Sequence, residues 1–198
     1  MLLGGIETAE HFGPRIRRWA ARLGIRDAAA VTVLADGAEW IWNQARAQLP
    51  GAAGLLDIYH AGEHLAACGH LLHGEGTAEA RAWLEEARAA LPAGGWPALA
   101  ERTAAARRLA RSRAKRRALD ELEGYFYRQR EHLGYAGRLG CGQSIGSGLV
   151  EGACKQVIGR RMRQTGARWR VRRANRMATL CCTLHGDTGK TYWDHRLK

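Results

Sequence analysis

Three carboxylates stand at positions where a protein can hold a metal ion. Asp36 and Asp57 each follow a short apolar run, and Glu151 lies in the first turn of a helical stretch that comes after glycines and serines. Mg²⁺ prefers oxygen ligands, typically one or two carboxylates with water and phosphate, and such ions support phosphodiester chemistry. The alternative is local structure: Asp-Gly is a turn signal, and a glutamate suits a helix N-terminus and an i,i+4 pair with Lys155.

A second group of side chains that could bind metal or orient a partner follows Asp57. His60, His64 and Cys68 recur at every fourth position, so a helix that begins at His60 carries all three on one face. Histidine and cysteine are common zinc ligands. Strong zinc motifs, however, bring pairs of ligands from two elements, and the second pair is missing. We therefore favour a role in which a histidine hydrogen-bonds or orients a carboxylate.

The chain is strongly basic, which favours a polyanionic partner and nucleic acid first. It has 198 residues, with 31 Lys and Arg against 19 Asp and Glu, and a formal net charge of +12. Residues 155–176, hereafter the basic segment, contain no acidic residue and nine basic ones: Lys155, Arg160, Arg161, Arg163, Arg168, Arg170, Arg172, Arg173 and Arg176. Arginine grips phosphate bidentately, so we expect DNA contacts here, with a solvated face as the alternative. Trp169 could stack on a base, although on its own we expect it in the core.

Two short strands and the helix between them must position the aspartates. Residues 28–35 are predicted to form a buried strand, 39–49 a helix and 54–59 a second strand. A strand–helix–strand unit this short predicts a right-handed crossover between parallel neighbours. Asp36 and Asp57 then share the carboxyl edge of the sheet, where open α/β sheets bind ligands.

Most of the remaining chain is predicted to be helical. A helix is expected at 6–23, and helical periodicity continues from 61 to 133 with breaks at 74–76 and 92–97. Residues 134–148 are predicted to be a glycine-rich connector, and another helix is expected at 171–184. The fold class predicted from these elements is α/β with few parallel strands, mainly helical by content.

Cysteine usage and hydropathy indicate the cellular compartment. The five cysteines form no C-x-x-C pattern and no secretory signal precedes them, so reduced thiols in a cytosolic protein are expected. No apolar run reaches the length of a membrane span, so no membrane partner is expected. A second basic run at 107–117 is expected to be a solvated face that also suits phosphate.

Three motifs in this order resemble a bacterial insertion-sequence transposase of the DDE type, in the Kra group. They are LADGAEWIWN at 34–43, DIYHAGEHL at 57–65 and IGSGLVEGACK at 145–155, with Arg168-Trp169 after them. The resemblance implies a ribonuclease-H-like core with two Mg²⁺ (or Mn²⁺) ions and a helical insertion before the catalytic glutamate. It implies nicking of transposon ends and joining of the freed 3′-hydroxyl to target DNA.

The resemblance assigns roles to five residues of this sequence. Asp36 corresponds to the second catalytic aspartate and Glu151 to the catalytic glutamate, both as metal ligands. Asp57 and His60 match the family's D-x-x-H signature as supporting residues, with Asp57 a further metal-ligand candidate and His64 beside them. The expected division is 1–60 partial core, 61–138 helical insertion, and 139–198 glutamate helix with basic helices.

The family's first aspartate has no counterpart here, because residue 1 falls after the third core strand on this mapping. The expectation is therefore a C-terminal part of a transposase, cytoplasmic and nucleoid-associated, and inactive alone. It would pair as a homodimer or with an upstream transposase polypeptide. Two alternatives stay open: a non-catalytic DNA-binding remnant or regulator, and a nuclease in which Asp57 replaces the lost aspartate.

Overall fold

The computed structural model describes residues 2–186, Gly189 and Asp194, and in these residues the fold is mainly helical with one small parallel sheet. Helical content with few parallel strands is therefore confirmed. The chain divides into two compact units, and each is described by itself. The larger comprises Ala29–Ala45 and Gly51–Ser147; the smaller comprises the described residues of Met1–Ala28, Arg46–Pro50 and Gly148–Lys198.

The larger unit contains the sheet and the long helices. Its elements, with α2 running on past Ala45, are β1 (Thr32–Ala35), α2 (Glu39–Gln48), β2 (Ala53–Leu56), α3 (Ile58–His73), α4 (Ala78–Leu109), α5 (Arg113–Arg128) and α6 (Tyr135–Gly140). The two strands are parallel, in a register that pairs Thr32 with Ala53 and Ala35 with Leu56. The predicted crossover between parallel strands is thus present.

The second strand is shorter than the sequence pattern predicts. It ends at Leu56, and Ile58 and Tyr59, which we expected to be extended, begin α3. The reason is Asp57, which caps the helix: its side chain accepts a hydrogen bond from the Tyr59 amide at 2.9 Å. Helix capping therefore outweighs the strand preference of the β-branched and aromatic residues that follow.

The predicted break near 92–97 appears as a kink in α4. Gly95 has φ 58° and ψ −141°, values that no α-helix contains, and Pro92 and Pro97 flank it. A glycine adopts this conformation at no steric cost. The two halves of α4 therefore run as separate segments around Gly95.

One buried core joins β2 to helices α3, α4, α5 and α6. Its largest fully buried side chains include Leu56, Leu65, Leu91, Phe126 and Tyr135. Tyr135 also explains an error of prediction: residues 134–148 were expected to be a loop throughout, yet Tyr135–Gly140 is helical. A fully buried aromatic side chain anchors this short helix against the core.

In the described part of the smaller unit, all of the regular secondary structure is helical. The unit contains α1 (Ala9–Arg22), α7 (Gly148–Cys154), a π-helical turn at Lys155–Gly159, α8 (Arg160–Met162) and α9 (Val171–His185). Cys181 and Cys182 are buried, and Leu2, Ile158 and Met177 pack against them. All five cysteines are free thiols, as expected. Among the described helices, none is both long enough and apolar enough to cross a membrane.

Candidate functional site

Two aspartates follow the paired ends of the two strands. Ala35 pairs with Leu56 in the last rung of the sheet, and the Asp57 amide donates to the Ala35 carbonyl at 2.7 Å. Asp36 and Asp57 are the next residues after these strand ends, so they lie at the same carboxyl edge of the sheet. Both belong to the larger unit. We refer to this edge, with the side chains around it, as the acidic edge.

Asp57 is buried and both of its carboxylate oxygens are engaged. One oxygen accepts from the Tyr59 amide, and the other accepts a hydrogen bond from the Ser147 hydroxyl. The Ile58 amide donates to the Ile145 carbonyl at 3.1 Å, and a Cβ on Gly146 would lie 2.5 Å from the Tyr59 ring. Asp57 thus holds the end of the 141–147 connector against the start of α3.

Asp36 is exposed and its carboxylate is only partly engaged. One oxygen accepts from the Ala38 amide at 2.9 Å, which closes a local turn. Gly37 follows with φ 89°, a value that favours glycine. The second carboxylate oxygen of Asp36 makes no hydrogen bond or ion pair with any described residue, and this leaves it open to a ligand.

Side chains from α5 fix the backbone that carries Asp36. The Tyr125 hydroxyl donates to the Asp36 carbonyl at 3.2 Å, and Gln129 Nε2 donates to the Gly37 carbonyl at 2.8 Å. Gln129 is itself buried, and its Oε1 accepts from the indole N–H of Trp42 at 2.9 Å. The turn after β1 is therefore held from α5 through contacts that join residues about 90 positions apart in the chain.

Two tyrosines at the acidic edge have raised pKa values. Burial, followed by the Asp36 carboxylate, raises the pKa of Tyr125 to about 12. Burial also raises the pKa of Tyr135, with Tyr125 and Asp57 adding to the effect. The Tyr135 hydroxyl is fully buried and has no hydrogen-bond partner among the described residues. Both hydroxyls therefore stay protonated at neutral pH and remain donors.

The sequence did not point to Tyr125, Gln129 or Tyr135 as part of this edge. Their periodicity identifies amphipathic helices, but it does not tell which side chain reaches a loop in another element. The structure shows Gln129 buried, and a buried amide requires hydrogen-bond partners, but the sequence does not reveal that burial.

Two histidines in the first half of α3, His60 and His64, lie next to this edge. His60 Nδ1 lies 3.2 Å from the Glu63 carboxylate. The His64 ring stacks on Tyr125, with centroids 3.8 Å apart. Burial, and then charge on His60, lowers the pKa of His64, while Glu63 opposes the shift. His64 is therefore neutral at physiological pH.

Cys68, the third member of that face, is buried, and burial raises the pKa of its thiol to about 12. Across the part of the chain that the structure describes, no group of three or more His, Cys, Asp or Glu side chains is arranged to hold a metal ion.

Glu151 belongs to the smaller unit and lies in the first turn of α7. It is exposed, and its carboxylate forms no ion pair or hydrogen bond with any described residue, Lys155 included. The i,i+4 pair that the sequence allowed is therefore absent. Like the open oxygen of Asp36, this carboxylate has the donor chemistry that Mg²⁺ takes.

The side chains of the basic segment are exposed, and acidic partners do not compensate their positive charge. All nine basic side chains are exposed, and none forms an ion pair with a described residue. Trp169 is 39% exposed and its indole N–H donates to the Met162 carbonyl at 3.1 Å, so it is not the core side chain that we expected. The arrangement is a surface of positive charge with one accessible aromatic ring.

The chain was compared with models of known protein families, with curated proteins and with solved structures, and it matches none of them. The family resemblance therefore depends on the motifs quoted above.

Proposed function

We propose that this chain is a catalytic-core segment of a DDE-type transposase of the Kra group that binds DNA through its basic segment. The observation that carries the proposal is the uncompensated charge of that segment. Nine exposed cations without an acidic partner repel one another. A phosphate backbone supplies the missing counter-charge, and arginine can contact phosphate through two parallel hydrogen bonds. Trp169 adds an exposed ring against a sugar or base.

The acidic edge supports the catalytic part of the proposal. Two carboxylates at the ends of adjacent parallel strands are a common arrangement for ligand binding in α/β sheets. In the proposal β1 and β2 are two strands of a ribonuclease-H-like core. Asp36 is a metal ligand of this edge, and the resemblance gives a metal-ligand role to Glu151 as well.

The remaining side chains of the edge have supporting roles in this proposal. Tyr125 and Gln129 hold the turn that carries Asp36, and neutral His64 packs against Tyr125. Mg²⁺ or Mn²⁺, when bound, would activate the attacking oxygen and stabilise the leaving one. The protein's own contribution is to present carboxylate oxygens to the ion and to bind the DNA backbone through the basic segment.

The resemblance calls for three carboxylates, and these 198 residues match two of them. The proposal therefore expects DNA binding without cleavage from this polypeptide alone. Cleavage is expected when a β-strand of an upstream transposase polypeptide supplies the third carboxylate. A bacterial cell would then hold the protein in the cytoplasm, on the nucleoid.

DNA binding is tested by fluorescence anisotropy with a labelled duplex over a range of salt concentrations. The triple variant Arg161→Gln, Arg163→Gln and Arg168→Gln should bind more weakly to every sequence. Its plot of log K against log salt should be shallower by up to about 0.9 for each phosphate that the variant no longer neutralises. The matched control changes three exposed arginines of the 107–117 run, Arg108, Arg111 and Arg113, in the same way. An equal weakening of binding in the two triple variants would contradict a specific role for the basic segment.

Catalysis is tested by nicking and strand-transfer assays with Mg²⁺ or Mn²⁺. Binding with no cleavage is the expected result, and it is also what a DNA-binding regulator would give. Mn²⁺ binding, measured by electron paramagnetic resonance, separates the transposase from the regulator. Only the transposase proposal expects Asp36→Asn and Glu151→Gln each to weaken Mn²⁺ binding. Cleavage by this polypeptide alone that is abolished in Asp57→Asn would instead favour the nuclease in which Asp57 replaces a missing ligand.

A further inference from the structure

We propose that a cavity between α3, α4 and α5 binds a small amphipathic anion, meaning a molecule with an apolar body and one carboxylate or phosphate group. The cavity lies within the larger unit and has a volume of about 580 Å³. Cavities of this size are typical of small-molecule sites. The inference does not depend on the transposase proposal, because it uses none of the acidic edge or the basic segment.

The wall of the cavity is mainly apolar. Leu72 and Trp83 are buried and form its inner part, while Leu109 lies at the rim with 78% of its surface exposed. Leu109 therefore adds exposed apolar surface that a ligand in the cavity can contact. The body of the ligand therefore contacts these three side chains.

The charged side chains of the cavity favour an anion. Arg102 and Lys115 line it, opposed by the carboxylate of Glu101, with His73 alongside. Lys115 forms no ion pair with any described residue. Arg102 already pairs with Glu86, so Lys115 is the cation of the lining whose ammonium group can contact an anionic group directly.

Arg102 provides a separate indication. Its NH2 group donates to Glu86, while its Nε is buried and has no hydrogen-bond acceptor among the described residues. Buried donors are normally satisfied in folded proteins, so one without an acceptor calls for an explanation. Arg102 lines the cavity, so an anionic oxygen bound there supplies that acceptor once the guanidinium group turns its Nε toward the ligand.

The helix that carries Lys115 also favours an anion at this place. Residues 113–116 form the first turn of α5, with three basic side chains and no acidic one. The N-terminus of a helix carries partial positive charge, so cations there are destabilising and anions are stabilising. The placement of Lys115 in this turn is explained if an anion lies next to it.

The ligand class is tested by calorimetry on the full chain with four probes: indole-3-acetate, decanoate, adenosine 5′-monophosphate and inorganic phosphate. At least one organic anion should bind with a Kd below about 1 mM. Its neutral counterpart (indole-3-acetamide, decanol or adenosine) should bind at least about tenfold more weakly. Which organic anion binds distinguishes a carboxylate ligand from a phosphate ligand. No binding by any organic anion, or binding by inorganic phosphate alone, would overturn the proposal.

Paired variants locate the binding. Ala106→Phe fills the cavity and should abolish binding, whereas Ala104→Phe, on an exposed face of the same helix, should leave it unchanged. Lys115→Gln should weaken binding about fivefold, and Arg113→Gln in the same turn should not. If Ala106→Phe fails to fold, the Lys115→Gln variant tests the proposal. Unchanged affinity in Lys115→Gln would refute the placement of the ligand's anionic group at Lys115.

Discussion

Gln129 holds the turn that carries Asp36, and replacing it tests whether that turn depends on α5. The variant is Gln129→Leu, which keeps the approximate size of the side chain and removes its polar atoms. The indole N–H of Trp42 then loses its acceptor and the Gly37 carbonyl loses a donor. The Tyr125 bond to the Asp36 carbonyl remains, so the loop is loosened rather than released.

The expected loss of stability follows from the burial of these groups. Trp42 is 6% exposed and Gln129 is 7% exposed, so water cannot easily replace the hydrogen bond to the indole. An unsatisfied buried group costs about 1–3 kcal/mol; we take about 2 for the indole and about 1 for the less buried carbonyl. The leucine recovers about 1 kcal/mol through apolar burial. The net loss is about 2 kcal/mol in the free energy of unfolding, which is roughly thirtyfold in the equilibrium constant.

Urea unfolding followed by circular dichroism measures this loss. With a typical slope of about 1–3 kcal/mol per molar urea, the midpoint should fall by roughly 1 M. A ¹H–¹⁵N spectrum should also show the Trp42 indole resonance shifted. The control is Gln143→Leu, an exposed glutamine of the same unit, for which we expect a change below about 0.5 kcal/mol. A Gln129→Leu variant as stable as the control would refute the account of the turn.

Three further predictions concern the same edge. The Tyr125 phenol, whose pKa burial and Asp36 raise to about 12, should titrate at lower pH in Asp36→Asn, as followed by ultraviolet absorbance; an unchanged titration would mean that the two groups do not interact. The Asp57→Ala variant should lose about 2 kcal/mol of stability in urea, because it removes a helix cap and the acceptor of Ser147, whereas Asp57→Asn should lose less than about 1. His64 has a lowered pKa, so stability should be complete above about pH 6.5 and fall as the pH drops through the folded-state pKa; denaturation at pH 7.5 and 5.5 should show a smaller dependence in His64→Gln.

The sequence was most informative where local rules decide the structure. The apolar run before Asp36 and the short helix after it predicted a parallel pair, and the register confirms one. Gly95 lies inside the predicted break in α4 and takes a non-helical conformation. In each case the signal comes from a few consecutive residues, which is the range over which backbone preferences act.

The sequence was least informative where contacts join distant positions. Nothing near Gln129 indicates that its amide will bridge Trp42 and Gly37, since the contact depends on how α5 packs against the turn. Tyr135 was missed for a related reason: surrounding glycines predicted a loop, and the burial of one aromatic ring produced a helix instead. Tertiary packing outweighs local propensity at both places.

The two aspartates of the acidic edge differ in how they can bind a metal ion. Asp57 already accepts from Tyr59 and Ser147, so an ion there would compete with a helix cap and a buried hydroxyl. Asp36 keeps one oxygen open at an exposed position. Asparagine at either position preserves an acceptor for the local backbone amide while removing the charge that holds the ion. If the carboxylate with the open oxygen is the one that binds the ion, Asp36→Asn lowers Mn²⁺ affinity while Asp57→Asn does not. The opposite order of effects would mean that the Ser147 bond yields to metal, and Asp57 would then be the principal ligand of this edge.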